Sequence, residues 1–369
     1  MRTYVLHLQA ILTSLVLLMY YYLMPWFGIN QYTFWLIAFA VFFAQYISRL
    51  KGGFKNVLIS MFLVYLIATS LLLYLLNLSS YTAPFFNDII RLFYFSLFLQ
   101  VFYKLGVAEQ KRLLHLIANY SFLLALPALI IEYLFPKAFY FFYFELMDAS
   151  KEMVVRTRMA SFIGDSNSLA FVLAIIFYLQ LNTKRGKVLK FSILSALTFF
   201  IFCTGSRMGL LMLAVLLIRY FGFWRVMFMT LISLFVFYCS SFDAQLRENS
   251  SASDTARLNS ILDALEFISF KTFFYPMGNV FFKNNYRIFS DASHFPHFGF
   301  LYNLIEYGIF ALGLFIIQAH MLLSVYVKDR VSFIILLMSL LFLPNQIYYM
   351  GFYLLFSASM TFYKIKKAL

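Results

Sequence analysis

Apolar runs, many of them about 17 to 25 residues long, recur along the whole chain and alternate with short polar segments. A helix needs about 20 apolar residues to cross the hydrocarbon of a bilayer, so this pattern predicts transmembrane helices. Hydropathy predicts about 11 to 12 spans, of which the eighth and eleventh are short. Their approximate bounds are 4–24, 32–47, 57–76, 85–101, 113–135, 168–181, 189–203, 208–218, 224–242, 298–327, 331–343 and 347–362. We therefore predict an all-α integral membrane protein, with residues 1–369 forming a single polytopic membrane domain.

Composition supports a lipid environment. The 369 residues are 63% hydrophobic and 12% charged, about half the charged fraction of a soluble domain. This composition excludes a soluble globular protein. The first run is too long for a signal-peptide core and lacks a small-residue cleavage site, so we expect an uncleaved first span.

The basic residues predict the orientation of the spans. The formal net charge is +14, and clusters of Lys and Arg alternate along the chain as the positive-inside rule requires for cytoplasmic segments. The predicted inside segments carry Arg2; Arg49, Lys51, Lys55; Lys104, Lys111, Arg112; Lys184, Arg185, Lys187, Lys190; Arg219, Arg225; Lys328, Arg330; and Lys364, Lys366, Lys367. Both termini are then cytoplasmic. The bases form short clusters without a basic domain, which argues against nucleic acid as a partner.

The long polar interval 243–297, between the ninth and tenth spans, is predicted to be a large extracytoplasmic loop. Within it, residues 255–270 have helical period, with Asp254 as a candidate N-cap and Arg257 in the first turn, where exposed backbone N–H groups favour anions. The predicted apolar stripe comprises Leu258, Ile261, Leu262, Leu265 and Ile268. The ordinary alternative is an amphipathic helix whose arginine is merely on the surface.

Two further outside segments combine polar groups with a predicted helix start. Arg158, Asp165 and Asn167 precede the sixth span, where an anion site followed by an N-cap is one interpretation and a simple turn and cap is the other. Arg207 closes the short turn 204–207, where it is either a bidentate phosphate ligand or an arginine reaching lipid headgroups.

Other polar residues have more structural interpretations. Asp88 and Arg91 share a predicted helix face and are expected to neutralise each other within the fourth span. Cys203 and Cys239 are expected to be packing residues, with no disulfide framework. Glu306 is out of helical phase with His297 if one continuous helix holds both, which favours a structural role for Glu306.

The loop ends in His294 and His297 and also contains Arg287. Zinc needs three or four protein ligands, and neither another His nor a Cys is predicted on this side. The loop also lacks the paired aspartates that would hold magnesium next to a diphosphate. We therefore expect no metal and no cofactor, and a histidine here suits general-base chemistry.

The order of these motifs over residues 156–308 resembles the O-antigen polymerase and ligase superfamily (Wzy/WaaL-like). The matching patterns are Arg158-x-x-Ser161-x-x-x-Asp165-x-Asn167-x-x-Ala170, then Thr204-Gly205-Ser206-Arg207-Met208-Gly209, then His297-x-x-x-Leu301-x-x-x-x-Glu306-x-Gly308. Ser161 and Phe298 stand where that family commonly has Gly and Asn.

The resemblance implies a metal-independent, inverting glycosyl transfer at the outer face of the bacterial cytoplasmic membrane. The donor and acceptor would be undecaprenyl-diphosphate-linked oligosaccharide repeat units, with membrane lipids around the protein and a chain-length regulator and a flippase as further candidate partners. For that chemistry our hypothesis assigns Arg207 and Arg257, with Arg158 behind them, to the diphosphate and His297 to the base, with His294 as its substitute. Transfer of finished glycan to lipid A core, as by a ligase, is the alternative, and transport of lipid-linked sugar is an alternative of another class.

Overall fold

The fold is described from a computed structural model. It describes residues 2–20, 31–47, 57–75, 83–139, 159–163, 165–222, 299–343 and 350–368, together with 259, 261, 262, 264, 265, 268, 270–274 and 276. These residues are almost entirely helical and contain no strand. The predicted all-α class is confirmed for this part of the chain.

The helices follow the hydropathy closely. They are α1 Arg2–Leu17, α2 Gln31–Ile47, α3 Val57–Leu75, α4 Ala83–Lys104, α5 Val107–Leu134, α6 Ser166–Leu181, α7 Lys187–Cys203, α8 Arg207–Phe221, α9 Phe270–Phe274, α10 Gly299–Tyr307, α11 Ala311–Tyr326, α12 Arg330–Phe342 and α13 Met350–Ala368, with 3₁₀ turns at Ser161–Ile163 and Gly308–Phe310. Every predicted span except the ninth coincides with a helix in this set. The ninth span lies outside the described residues.

The tenth predicted span is not one regular helix. A 3₁₀ turn at Gly308–Phe310 separates α10 from α11. Gly308 has φ of +57°, and a Cβ there would lie 2.7 Å from the Phe273 carbonyl oxygen. The change in helical geometry therefore occurs where the end of α10 meets the backbone at the end of α9, a contact that apolar composition could not predict.

Two segments, Val107–Leu134 and Phe300–Tyr326, are long and apolar enough to cross a membrane by length and composition. Four shorter helical stretches are also apolar: Tyr4–Leu17, Tyr32–Gln45, Ser166–Leu181 and Arg330–Leu341.

Helix α6 lies at the centre of the packing. Residues 168–180 are all buried, as expected of a helix that is apolar on every side. Around it pack α5, α7, α8 and α13. Helix α1 lies along α5, where the Ser121 hydroxyl donates to Ser14 Oγ over 2.9 Å.

Charged side chains gather at one end of the bundle, named here the basic end. Asp329, the N-cap of α12, pairs with Arg219 at the end of α8 and accepts a 2.6 Å hydrogen bond from the Tyr178 hydroxyl of α6. Burial, and then the nearby Lys364, lower the pKa of Lys328 at this end. Segments predicted to lie on the inside are thus adjacent in space.

The loop helix is described at a few positions. Asn259, Ile261, Leu262, Ala264 and Leu265 are helical. Ile261, Ala264 and Ile268 pack against α10, whereas Leu262 and Leu265 are each 49% exposed. The predicted stripe therefore needs correction: the packed face comprises Ile261, Ala264 and Ile268, whose spacing of three and four positions places them on one side of a helix.

Candidate functional site

The start of α6 is fixed by Asp165. Its carboxylate Oδ2 accepts hydrogen bonds from the backbone N–H and the hydroxyl of Ser168, each 2.7 Å long. This is the N-cap geometry, in which a side-chain oxygen satisfies an N–H that has no partner within the helix. The structure therefore shows Asp165 as the cap of α6, which both interpretations of this segment include.

The turn before α8 is built from the Thr-Gly-Ser sequence. Thr204 Oγ1 donates to the Ile201 carbonyl over 2.7 Å and accepts from the Ser206 N–H over 3.2 Å. Gly205 has φ of +57°, a conformation that glycine adopts without steric cost. Ser206 then caps α8 by accepting from the Gly209 N–H over 3.1 Å.

A side-chain hydrogen bond joins these two helix starts. The Ser206 hydroxyl donates to Asn167 Oδ1 over 2.8 Å. Close packing supports the same junction, since a Cβ on Gly209 would lie 2.5 Å from the Ala170 Cβ. The junction therefore brings together two motif segments that are about 40 residues apart in the sequence.

Arg207 is the first residue of α8, and its side chain is exposed. The N-terminus of a helix carries a partial positive charge, so an arginine there is disfavoured by about 0.3–1 kcal/mol unless an anion lies nearby. A helix start with a guanidinium beside it is suited to binding phosphate, because both the N–H groups and the cation attract it.

Glu132 is a residue near this junction that the sequence analysis missed. It is only 2% exposed near the end of α5. Its Oε1 accepts from the Ala160 N–H and its Oε2 from the Ser161 N–H, each over 2.9 Å. The signal available in the sequence was a single acid within an apolar run, at residues 130–134, because an ionisable group in such a run usually has a specific partner.

The segment Met159–Ile163 lies between Glu132 and the turn before α8. The Met159 N–H donates to the Cys203 carbonyl over 3.2 Å. Ser161 has φ of +48°, which is uncommon for a residue with a side chain. The segment is therefore anchored to α5 on one side and to the end of α7 on the other.

Glu306 and Asn303 are buried on α10, at 1% and 0% exposure respectively. Glu306 lies two residues before the Gly308 turn. The structural role of Glu306 and its helical phase relative to His297 stay predictions, because residues 277–298 lie outside the described part of the chain.

The remaining predicted residues divide into two sets. Arg91 is half-buried on α4, a helix that packs against α2, α3 and α13. The side chain of Asp88 is outside the described residues, so the Asp88–Arg91 pair stays a prediction. Six other predicted residues lie outside the described part of the chain: Arg158, Arg257, Arg287, His294, His297 and Cys239. Cys203 has a free, half-buried thiol.

Among the described residues, no group of three or more His, Cys, Asp or Glu side chains is arranged to hold a metal ion.

The described chain thus defines an all-helical protein with two segments of membrane-crossing length, and a polar junction where α6 and α8 begin. Comparison with known protein families, with curated proteins and with solved structures finds no match to this chain.

Proposed function

We propose that this protein is a membrane glycosyltransferase, an O-antigen-type polysaccharide polymerase. It transfers an undecaprenyl-diphosphate-linked glycan onto a lipid-linked repeat unit. The transfer is metal-independent and inverting, and it takes place at the outer face of the bacterial cytoplasmic membrane.

The hydrogen bond from Ser206 to Asn167 carries this proposal. The motif that contains Asn167 and the motif that contains Arg207 are recognised separately in the sequence, and a functional site requires them to be adjacent. The contact supports that requirement. Ser161 adds support, because its positive φ occurs where the matching pattern has glycine, the residue that adopts this conformation most readily.

The proposed transfer requires cations where negative charge develops on the departing lipid diphosphate. A lipid diphosphate is already a good leaving group, so it needs electrostatic stabilisation rather than a proton donor. Arg207 at the start of α8 supplies one such cation, and we assign Arg257 and Arg158 to the same diphosphate. His297, or His294 in its place, removes the proton from the acceptor hydroxyl.

The distribution of charge supports the proposed location. The Asp329–Arg219 pair and the neighbouring bases lie at the C-terminal end of α6, whereas Asp165 and Asn167 lie at its N-terminal end. With the basic end in the cytoplasm, as the positive-inside rule favours, the junction faces outward. An outward site has access to lipid-linked glycan after that glycan has crossed the membrane.

Gene deletion tests the proposal directly. Surface glycans from the deletion strain are separated on a gel, with the wild-type gene and the Arg207→Ala variant supplied in trans. For a polymerase, we expect the deletion strain to show a glycan ladder reduced to core plus one repeat. The wild-type gene should restore the full ladder, and the Arg207→Ala variant should not. Loss of all attached glycan, with lipid-linked polymer still present, would instead indicate a ligase.

A transport function predicts a different result. Lipid-linked repeat units would then accumulate on the inner face of the membrane, which is measured by their protection from an enzyme added outside intact spheroplasts. An unchanged glycan profile in the deletion strain would contradict all three functions.

A further inference from the structure

Glu132 is a buried carboxylate near the end of α5 to which the proposed chemistry assigns no role. Its two carboxylate oxygens each accept one backbone N–H, from the neighbouring residues Ala160 and Ser161. Successive N–H groups in a backbone that turns through a left-handed residue form a concave anion-binding nest. Here the anion is a side chain of the protein itself, and Ser161 at φ of +48° is the left-handed residue.

The position of this nest connects it to both motifs. On one side, the Met159 N–H binds the Cys203 carbonyl at the end of α7, immediately before the turn that presents Arg207. On the other side, the segment runs on to Asp165, the cap of α6. Displacement of the segment would therefore move the two helix starts that Asn167 and Ser206 join.

We propose that Glu132 is a positioning residue: its carboxylate occupies the backbone nest of Ala160 and Ser161 and so fixes the segment Met159–Ile163 against the helix starts that carry Asn167 and Arg207. This inference rests on the proposed function for its catalytic consequence. The positioning itself is independent of what the site does.

Glu132→Gln is the most direct variant. The amide preserves the size of the side chain, but it has one acceptor oxygen and an NH₂ group that would face an N–H donor. One of the two hydrogen bonds is therefore lost. Asp329→Asn at the basic end is the matched control, since Asp329 is also a buried carboxylate that accepts hydrogen bonds, from Tyr178 and Ser332.

The first measurement reports only on the stability of the backbone in the segment Met159–Ile163. The full chain is purified in phosphatidylethanolamine–phosphatidylglycerol vesicles, and hydrogen exchange is followed in the peptide that contains residues 159–163. We expect Glu132→Gln to accelerate exchange of the Ala160 and Ser161 amides about tenfold, equivalent to about 1.4 kcal/mol of lost protection. Asp329→Asn should lower the thermal midpoint of the protein while leaving exchange in this peptide unchanged.

The second measurement tests whether the loss of Glu132 affects the proposed site through Arg207. The rate of polymerisation is measured in the same vesicles against the concentration of undecaprenyl-diphosphate-linked repeat unit, for Glu132→Gln, Arg207→Ala and the double variant. We expect Glu132→Gln to lower kcat about tenfold and to have little further effect once Arg207 is absent, because both changes remove the same positioned cation. Asp329→Asn should leave kcat unchanged in either background.

The outcomes separate this inference from the proposed function. Unchanged exchange at residues 159–163 in Glu132→Gln would overturn the positioning role, as would rate losses that multiply in the double variant. If Glu132→Gln accelerates exchange at residues 159–163 but Arg207→Ala leaves glycan synthesis unchanged, the positioning role is supported and the proposed function is contradicted. If Glu132→Gln does not accumulate in the membrane, Glu132→Asp provides the same test, because a side chain shorter by one methylene withdraws the carboxylate from the nest while keeping its charge.

Discussion

The Ser206 hydroxyl donates a hydrogen bond to Asn167 Oδ1 across 39 positions of sequence and 2.8 Å of space. Ser206 is also the N-cap of α8, and Asn167 lies in the first turn of α6. The Ser206 hydroxyl thus caps the N-terminus of α8 and also binds it to the start of α6.

The Ser206–Asn167 bond predicts coupled losses of stability. We expect Asn167→Ala to lower the free energy of unfolding by about 1 kcal/mol, and Ser206→Ala by about 2 kcal/mol because it also removes the cap of α8. The double variant should lose less than the sum, since one bond is counted in both single variants. Thermal or denaturant unfolding in detergent measures all three, and strictly additive losses would contradict the bond.

The exposed cation at the start of α8 predicts a selective loss of activity. Arg207→Ala should lower the rate of glycan transfer by roughly 100-fold or more, as does removal of a group that stabilises developing charge, without lowering the thermal midpoint, because a cation at a helix N-terminus does not stabilise the helix. Arg207→Lys should lose about tenfold, because an ammonium lacks the bidentate geometry of the guanidinium.

Lys187→Ala is the matched control for Arg207→Ala, because Lys187 is likewise the exposed first residue of a helix, α7. Lys187 follows the C-terminal end of α6, whereas Arg207 lies near its N-terminal end. Lys187→Ala should leave transfer unchanged. Equal losses from the Lys187 and Arg207 variants would show that general surface charge, and not a diphosphate site, explains the effect.

Close packing of α6 and α8 predicts a steric pair. Gly209→Ala places a Cβ 2.5 Å from that of Ala170, so we expect a loss of about 1–3 kcal/mol from overpacking. Ala170→Gly in the same protein should restore part of that loss, because it removes the atom in conflict. Gly186→Ala serves as a control, since a Cβ there meets nothing within 4 Å; it should lose only the roughly 0.5–1 kcal/mol of a poorer N-cap for α7, and Ala170→Gly should not restore that loss.

The backbone of Ser161 predicts opposite effects of two substitutions. Ser161→Gly should be neutral or stabilise the protein by up to about 1 kcal/mol, because glycine adopts a left-handed conformation without the Cβ penalty. Ser161→Val should destabilise it by about 1–3 kcal/mol, because a β-branched residue is strained there. A more stable valine variant would contradict the observed φ of +48°.

Metal removal gives a test of the proposed chemistry that requires no mutation. Transfer in purified vesicles should continue at its full rate in excess EDTA and should not rise on addition of Mg²⁺ or Mn²⁺, since the cations assigned to the diphosphate are arginines. Loss of transfer in EDTA that Mg²⁺ restores would contradict the metal-independent mechanism.

The helices were predictable because long apolar runs favour them: in hydrocarbon, such a segment would have to satisfy its backbone hydrogen bonds internally, as a helix does. The short span 208–218 is an example, since it covered only eleven positions in the prediction, yet α8 forms and extends over Arg207–Phe221. The break at Gly308 was not predictable, because it depends on the Phe273 carbonyl, which is distant in sequence.

Part of the candidate site was also predictable. Asp165 and Ser206 are residue types that cap helices, and each stands just before an apolar run, so local sequence indicated both caps. The role of Glu132 was not indicated, because the two N–H groups that bind its carboxylate belong to Ala160 and Ser161, 28 and 29 positions away in the sequence.

By itself, the sequence determined the helical class, the positions of the helices and the residue types at their starts, since hydropathy and capping act over a few neighbouring residues. The tertiary structure decided which helix starts meet, which face of the loop helix packs on α10 and where Glu132 finds its partners. The physical reason is that these contacts depend on the relative placement of segments that are far apart in the chain, which no local pattern encodes.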